Sequence, residues 1–259
     1  MSEPTVLLTI DAHIATITLN RPAKLNALDR EMIELLDLCC AQLDRNEAVR
    51  VVLLTGTGDR AFCVGADIND WAALQPLDMW RTWVREGHRV FERLARLRRP
   101  VIAVLNGATF GGGLELALAA DLRLAADHAE LALPETGIGT VPGWGGTQRL
   151  PALIGPARAK QLIYTGMRVD APTAERWGLV NETVPAPQLT ARALDLARAI
   201  AGRAPLSIQM AKQLVDGGLG MGTGPALEAL AGALAAGTED GREGVASFRE
   251  RRSPQFKGR

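Results

Sequence analysis

The sequence predicts a mixed α/β chain: a strand-rich core of about 200 residues followed by a helical C-terminal appendage. Three observations carry this expectation. Short β-branched or wholly apolar runs recur through the first two thirds of the chain, helical segments alternate with them, and beyond Pro205 only helical patterning remains. The division falls near residues 1–200 for the core and 201–259 for the appendage, with no internal repeat.

Val6–Ile10 and Ile14–Leu19 read as two strands split by Asp11-Ala12-His13, the pattern of a hairpin. Asn20-Arg21-Pro22 stops the second strand, and Asp29 is placed to cap a helix running to about Leu43. Val49–Thr55 is almost wholly apolar, as in a strand buried on both faces. A turn at Gly56-Thr57-Gly58-Asp59 leads to a short strand at Ala61–Val64. Asp70–Leu97 carries Trp71, Trp80, Trp83, Val90, Phe91 and Leu94 at loosely helical spacing, and Pro100 closes it before the buried strand Val101–Leu105. Helices are expected at Gly112–Ala120, Gly145–Leu150, Ala157–Tyr164, Ala171–Arg176 and Leu189–Ala201, with short strands at Leu122–Ala125 and Leu131–Ala132. In the appendage, Gly217–Gly224 reads as a break and a basic, aromatic tail begins at Phe248.

Composition removes several function classes. The 259 residues hold 29 Lys+Arg against 29 Asp+Glu, so the chain lacks the basic field that nucleic acid or an anionic membrane requires. No apolar run approaches the roughly 20 residues that span a bilayer. The polar start and the unpaired cysteines point to a reducing, cytoplasmic setting. Cys39, Cys40 and Cys63 form no C-x-x-C pair, and His13, His88 and His128 lack metal-ligand spacing, so no metal site is expected. No serine occupies a G-x-S-x-G elbow, and Tyr164 has Arg168 where a Tyr-Lys dehydrogenase pair needs lysine. Carboxylates and backbone amides remain to do the chemistry.

The richest segment is 106–121, where Gly111-Gly112-Gly113 joins an apolar strand to a helix. Glycines permit a sharp turn, and the first N–H groups of a helix have no intrahelical partner. Such a turn is either close packing or a site for an oxygen that becomes negative in a transition state. Glu115 sits one helical step later among Leu114, Leu116, Leu118 and Ala119, hence in an apolar setting. A buried carboxylate is paired, here with some arginine, or serves as an acid/base group of raised pKa. Twenty residues later Glu135 occupies a loop framed by Pro134 and Gly137; two close carboxylates can share one proton. Gly65-Ala66-Asp67 ends a further strand, and small residues there could expose the Ala66 N–H as a second donor.

Phe62-Cys-Val-Gly-Ala-Asp-Ile68, Asn106-Gly107 with Gly111-Gly112-Gly113-Leu114-Glu115, Pro134-Glu135, and Pro142-Gly-Trp-Gly-Gly-Thr-Gln-Arg-Leu150 together resemble the enoyl-CoA hydratase/isomerase (crotonase) superfamily. The likeness extends from Asn20-Arg21-Pro22 to the tail after Phe248. It implies a spiral of ββα turns and a helical C-terminal region for assembly as a trimer or a hexamer built as a dimer of trimers. It implies further that Ala66 and Gly112 amides form an oxyanion hole for a thioester carbonyl. Glu115 and Glu135 match the two glutamates of the hydratase subgroup, which favours water addition to a trans-2-enoyl-CoA, as in the β-oxidation of fatty acids. Coenzyme A enters as part of the acyl-CoA substrate, with no separate cofactor.

By the same resemblance Lys24, Phe248 and Arg251 match positions that contact CoA, and the backbone around Ala66, Asp67 and Ile68 would read its adenine. Asn69 departs from the lysine frequent at that position, which removes one phosphate contact. Trp71, Trp80 and Trp83 either pack the core or line the acyl pocket, with Trp80 and Trp83 spaced to share a face. Competing readings are an isomerase or a specialised acyl-CoA dehydratase of the same family, and a non-catalytic acyl-CoA-binding or RNA-binding relative. Gly56-Thr-Gly58-Asp-Arg-Ala61 also outlines a dinucleotide turn, which requires a helix immediately after it.

Overall fold

An antiparallel hairpin opens the computed structural model, which describes residues 3–217 and 224–259. β1 (Val6–Asp11) pairs with β2 (Ile14–Leu19), and Ala12 takes the left-handed turn conformation between them, φ 49°. α1 (Arg30–Arg45) starts where expected, Met32 N donating to the Asp29 carboxylate at 2.9 Å, and buries Met32, Ile33, Leu36, Cys40 and Leu43 along one stripe. β3 (Val51–Gly56) and β4 (Ala61–Cys63) follow around the Gly56–Arg60 turn. A strand succeeds that turn, so the helix that a dinucleotide turn requires is absent there.

The expected long helix over 70–97 is broken instead into α2 (Ile68–Trp71), α3 (Pro76–Asp78), a π-helical turn at Met79–Val84 and α4 (Arg85–Ala95). Pro76 lacks the N–H that would continue a preceding helix and opens α3 at its first position. The wider π turn rotates less per residue, so Trp80 and Trp83 do not share a face: Trp80 is exposed, whereas Trp83 is buried.

The chain continues through β5 (Val101–Leu105), β6 (Ala108–Phe110), α5 (Gly112–Leu118), β7 (Leu122–Ala126) and β8 (Glu130–Ala132). A 3-10 turn at Glu135–Ile138 precedes α6 (Gly146–Ile154), α7 (Pro156–Thr165), β9 (Val169–Asp170), α8 (Ala171–Trp177), β10 (Glu182–Val184) and α9 (Leu189–Ala201). β6, β9 and β10, of two or three residues each, went unread in the sequence.

Two sheets result. One runs β1-β2-β3-β5-β7-β10, parallel from β2 onward; the other runs β4-β6-β8-β9, with only β9 antiparallel. The pairs β3–β4, β5–β6 and β7–β8 each place a strand in the first sheet, then one in the second, then helix. This is the expected ββα spiral. β5 is buried along its whole length, and the ends of the second sheet's strands deliver the chain to the loops that form the site.

Beyond the spiral come α10 (Pro205–Gly217), α11 (Gly224–Gly237) and α12 (Glu239–Glu250). The break expected at Gly217–Gly224 falls on residues 218–223, outside the described residues. Lys212 of α10 reaches Asp121 of the core at 2.8 Å, and Arg50 donates to the Phe256 carbonyl at 2.7 Å, so the appendage is tied back at both ends. α11 exposes Leu227, Leu230 and Leu234, and Phe248 belongs to α12 instead of opening a separate tail.

Candidate active site

Two peptide groups face each other where β4 and β6 end. After β6, Gly111 adopts φ 53° and ψ −130°, a conformation open to glycine, and α5 starts at Gly112. After β4, Gly65 takes φ 106°. Its carbonyl accepts from Leu28 N at 2.8 Å while Asp67 N donates to the Leu28 carbonyl at 2.7 Å. Alternation along that bridge turns the Ala66 N–H away from Leu28 and toward α5. A Cβ on Gly65 would stand 3.4 Å from Gly112 N, and one on Gly112 would stand 3.6 Å from Ala66 N. Among the described residues neither N–H donates to a protein acceptor. The two donors expected from the sequence are therefore side by side and available.

Glu115 lies one turn into α5 and is 2% exposed. It forms no ion pair with an arginine; its Oε1 accepts from Trp144 N and from Gly146 N, each at 2.8 Å. Burial raises its pKa, opposed by the Gly146, Trp144 and Gly143 amides and by the charge of Arg149. A Cβ on Gly146 would stand 2.9 Å from Oε1, so any side chain there would displace the carboxylate.

Glu135 opens the 3-10 turn after Pro134. Both of its carboxylate oxygens are buried and without a hydrogen-bond partner among the described residues. Burial pushes its pKa up to about 7, opposed by the residue's own backbone N–H, and the neighbouring Glu115 charge adds to the rise. Gly111 admits the group: a Cβ there would stand 3.1 Å from Glu135 Oε1. A half-neutral carboxyl at physiological pH is suited to give or take a proton. Sequence placed this glutamate on a loop; only the packing of that loop under α5 buries its head.

Ala66, Gly112, Glu115 and Glu135 all line one cavity of about 270 Å³. Apart from Thr140, its remaining walls are apolar. Trp83 and Trp144 form the buried floor, Trp71, Met79 and Val84 the side, and Ile68, Ile138 and Val141 the exposed mouth. Trp144 packs against Trp83, with ring centroids 5.4 Å apart, and against Phe91 at 5.1 Å. No lysine, arginine or histidine belongs to the lining.

The CoA-contact candidates are placed less uniformly. Ile68 stands at the mouth, half exposed. Asp67 is buried and already engaged: Arg21 Nη1 donates to it at 2.7 Å, Asn69 N donates at 3.1 Å, and its own N–H is spent on Leu28. It clamps the Ala66 loop. Lys24 is exposed on the turn Pro22–Lys24 and makes no ion pair among the described residues. Phe248, 84% exposed, and Arg251, the left-handed cap of α12, do not line the cavity of their own chain. Residue-by-residue reading missed the Trp144 and Gly146 amides. The glycines flanking Trp144 in Pro142–Leu150 were the available signal.

Among the described residues no group of three or more His, Cys, Asp and Glu side chains is arranged to hold a metal, and no helix is long and apolar enough to cross a membrane. The chemistry on hand is two adjacent amide donors, able to hold one oxygen as it gains charge, beside two carboxyls of raised pKa.

The model of the enoyl-CoA hydratase/isomerase family matches residues 9–259. The short-chain-enoyl-CoA hydratase of Clostridium acetobutylicum is 37% identical over 98% of each chain. The crotonyl-CoA hydratase of Syntrophomonas wolfei is 36% identical over 99% of each chain. The crystal structure of an enoyl-CoA hydratase from Bacillus anthracis superposes with a TM-score of 0.95 at 39% identity, covering 98% of this chain and 100% of that one. A family model spanning residues 9–259, together with relatives of 36–37% identity over almost the whole chain and a shared fold, decides the matter: the chain belongs to the enoyl-CoA hydratase/isomerase family.

Proposed function

We propose that this enzyme adds water reversibly across the trans-2 double bond of an enoyl-CoA thioester. The observation that carries the reading is the meeting of two carboxyls of raised pKa and two unengaged amides in a single apolar cavity. The thioester carbonyl sits between the Ala66 and Gly112 N–H groups, which stabilise the enolate oxygen formed when water attacks the β-carbon. Removing one such donor typically costs ~10²–10³ in rate.

Glu115, whose Oε1 is fixed by the Trp144 and Gly146 amides, orients and deprotonates the water. Glu135, half neutral near pH 7, holds the same water and delivers the α-proton. In the reverse direction the roles exchange. The apolar lining and the absence of a cation from it favour an uncharged acyl group. The adenine end is read by backbone near Ala66 and Ile68 and by Phe248 from a neighbouring subunit, and the phosphates by Lys24 and Arg251. The exposed leucines of α11 fit burial in a homotrimer or a dimer of trimers. A cytoplasmic place in fatty-acid β-oxidation suits this activity.

The test is the loss of enoyl-thioester absorbance with crotonyl-CoA, run beside long-chain and aromatic enoyl-CoAs. Turnover of at least one of them is expected. Double-bond migration without hydration would replace the hydratase reading with an isomerase. Inactivity on all of them would refute it.

A further inference from the structure

A charged pair stands behind Glu115, outside the cavity lining. Arg149, on the first turns of α6, folds back over Gly145, and its Nη1 donates to the Trp144 carbonyl at 3.1 Å. Gly145 has φ 106°, and a side chain there would overlap the Arg149 guanidinium, so glycine is required on both counts. Arg149 Nη2 donates to Glu92 Oε2 of α4 at 2.6 Å, and Glu92 is held in turn by Arg96. Those two arginines keep the Glu92 carboxyl below the usual carboxylate range, Arg96 more than Arg149.

The residue whose carbonyl Arg149 fixes is the same residue whose N–H holds Glu115 Oε1, and Gly146, two positions on, supplies the second bond to that oxygen. We propose that Arg149, anchored by Glu92, is a positioning residue for Glu115: it sets the Trp144–Gly146 loop so that both amides meet one carboxylate oxygen, leaving Oε2 for the ligand. It never touches substrate.

The charged and polar groups that face Glu115 come from three places. The loop before α6 supplies the amides of Gly143 and Trp144, α6 supplies the Gly146 amide and Arg149, and the turn after β8 supplies Glu135. Only Arg149 among them carries positive charge. Its planar fork serves two acceptors on two elements at once, which a lysine ammonium does not reproduce geometrically.

The inference takes its kinetic form from the hydratase reading of Glu115, and the experiment keeps the two separable. Arg149→Met is expected to lower kcat roughly 10–100-fold, the scale of a small misplacement of a reacting group. KM should stay near the wild-type value, and the acidic limb of the kcat profile should move to higher pH. Arg149→Lys should restore the acidic limb but only part of kcat, and Glu92→Gln should repeat the kcat loss more weakly. A second readout needs no activity: isotope-edited infrared titration of the carboxyl band that Glu115→Gln abolishes, which should move to higher pH in Arg149→Met. A kcat loss with both the acidic limb and the infrared titration unmoved would reduce Arg149 to a structural brace and overturn the proposal. So would unchanged kcat and limb. If the wild type hydrates no enoyl-CoA, the hydratase reading falls while the infrared titration still decides for or against Arg149.

Discussion

Glu135 should make the protein less stable as pH rises toward and through neutrality, and Glu135→Gln measures by how much. Its carboxyl titrates near 7 in the native protein against 4.5 for an ordinary glutamate. That displacement is worth roughly 3 kcal/mol. The sign follows from proton binding. Between the two values the native state keeps a proton that the unfolded chain has lost, so stability falls as pH rises through this window and levels off above it. Glutamine preserves the shape and removes the titration. The cost of burying its amide without partners is independent of pH and cancels when two pH values are compared. Relief of Glu115 from a neighbouring charge acts in the same direction. The stability of Glu135→Gln relative to wild type is therefore expected to improve by about 2–3 kcal/mol between about pH 5 and about pH 8. Urea unfolding at both pH values, at one protein concentration because assembly contributes its own term, reads the difference. An unchanged gap, or one that narrows as pH rises, would refute the burial argument for this group.

Other outcomes follow from the same contacts. Glu115→Gln and Glu135→Gln should each cut hydration by about 10²–10⁴, the range of acid–base catalysis, while binding of a saturated acyl-CoA measured by calorimetry persists. Near-native turnover in either would sink the two-carboxyl mechanism. Gly146→Ala puts a methyl 2.9 Å from Glu115 Oε1 without demanding a positive φ. It should lower kcat roughly 10–100-fold in a folded protein, whereas Gly137→Ala, which meets nothing within 4 Å, should leave kcat alone. Arg21→Met strips Asp67 of its guanidinium partner and should cost about 1–3 kcal/mol at neutral pH. Arg21 holds the Asp67 carboxyl below its usual range, so this contribution exists above the ordinary carboxylate pKa and fades as pH falls through the native one. A thermal melt showing the same loss at acid and neutral pH would contradict it.

Some elements could be read directly. Asp29 before a helical stripe marked the start of α1, and the apolar run at 101–105 marked a strand buried on both faces. The Trp-rich stretch could not be read as well, because helical spacing in sequence assumes an uninterrupted α-helix. Pro76 and the π turn at Met79–Val84 reset the rotation, and Trp80 and Trp83 parted. Within the site, Glu115 was legible because an acid amid leucines on a helix has few explanations. The clamp of Arg21 on the Asp67 carboxylate, forty-six positions away, left no local pattern to read.

The sequence by itself determined what chemistry was available. With no serine elbow, no metal-ligating spacing and no cysteine pair, it left carboxylates and glycine-exposed amides as the candidate groups, and Gly111–Gly113 with Glu115 as their candidate place. Tertiary structure alone decided how those groups behave. Glu135 is an ordinary loop glutamate until the turn packs beneath α5 and takes both its oxygens out of water. Ala66 offers a free N–H only because its bridge to Leu28 turns it toward Gly112. Desolvation and donor convergence depend on distances between segments far apart in the chain, and local residue patterns carry no record of those distances.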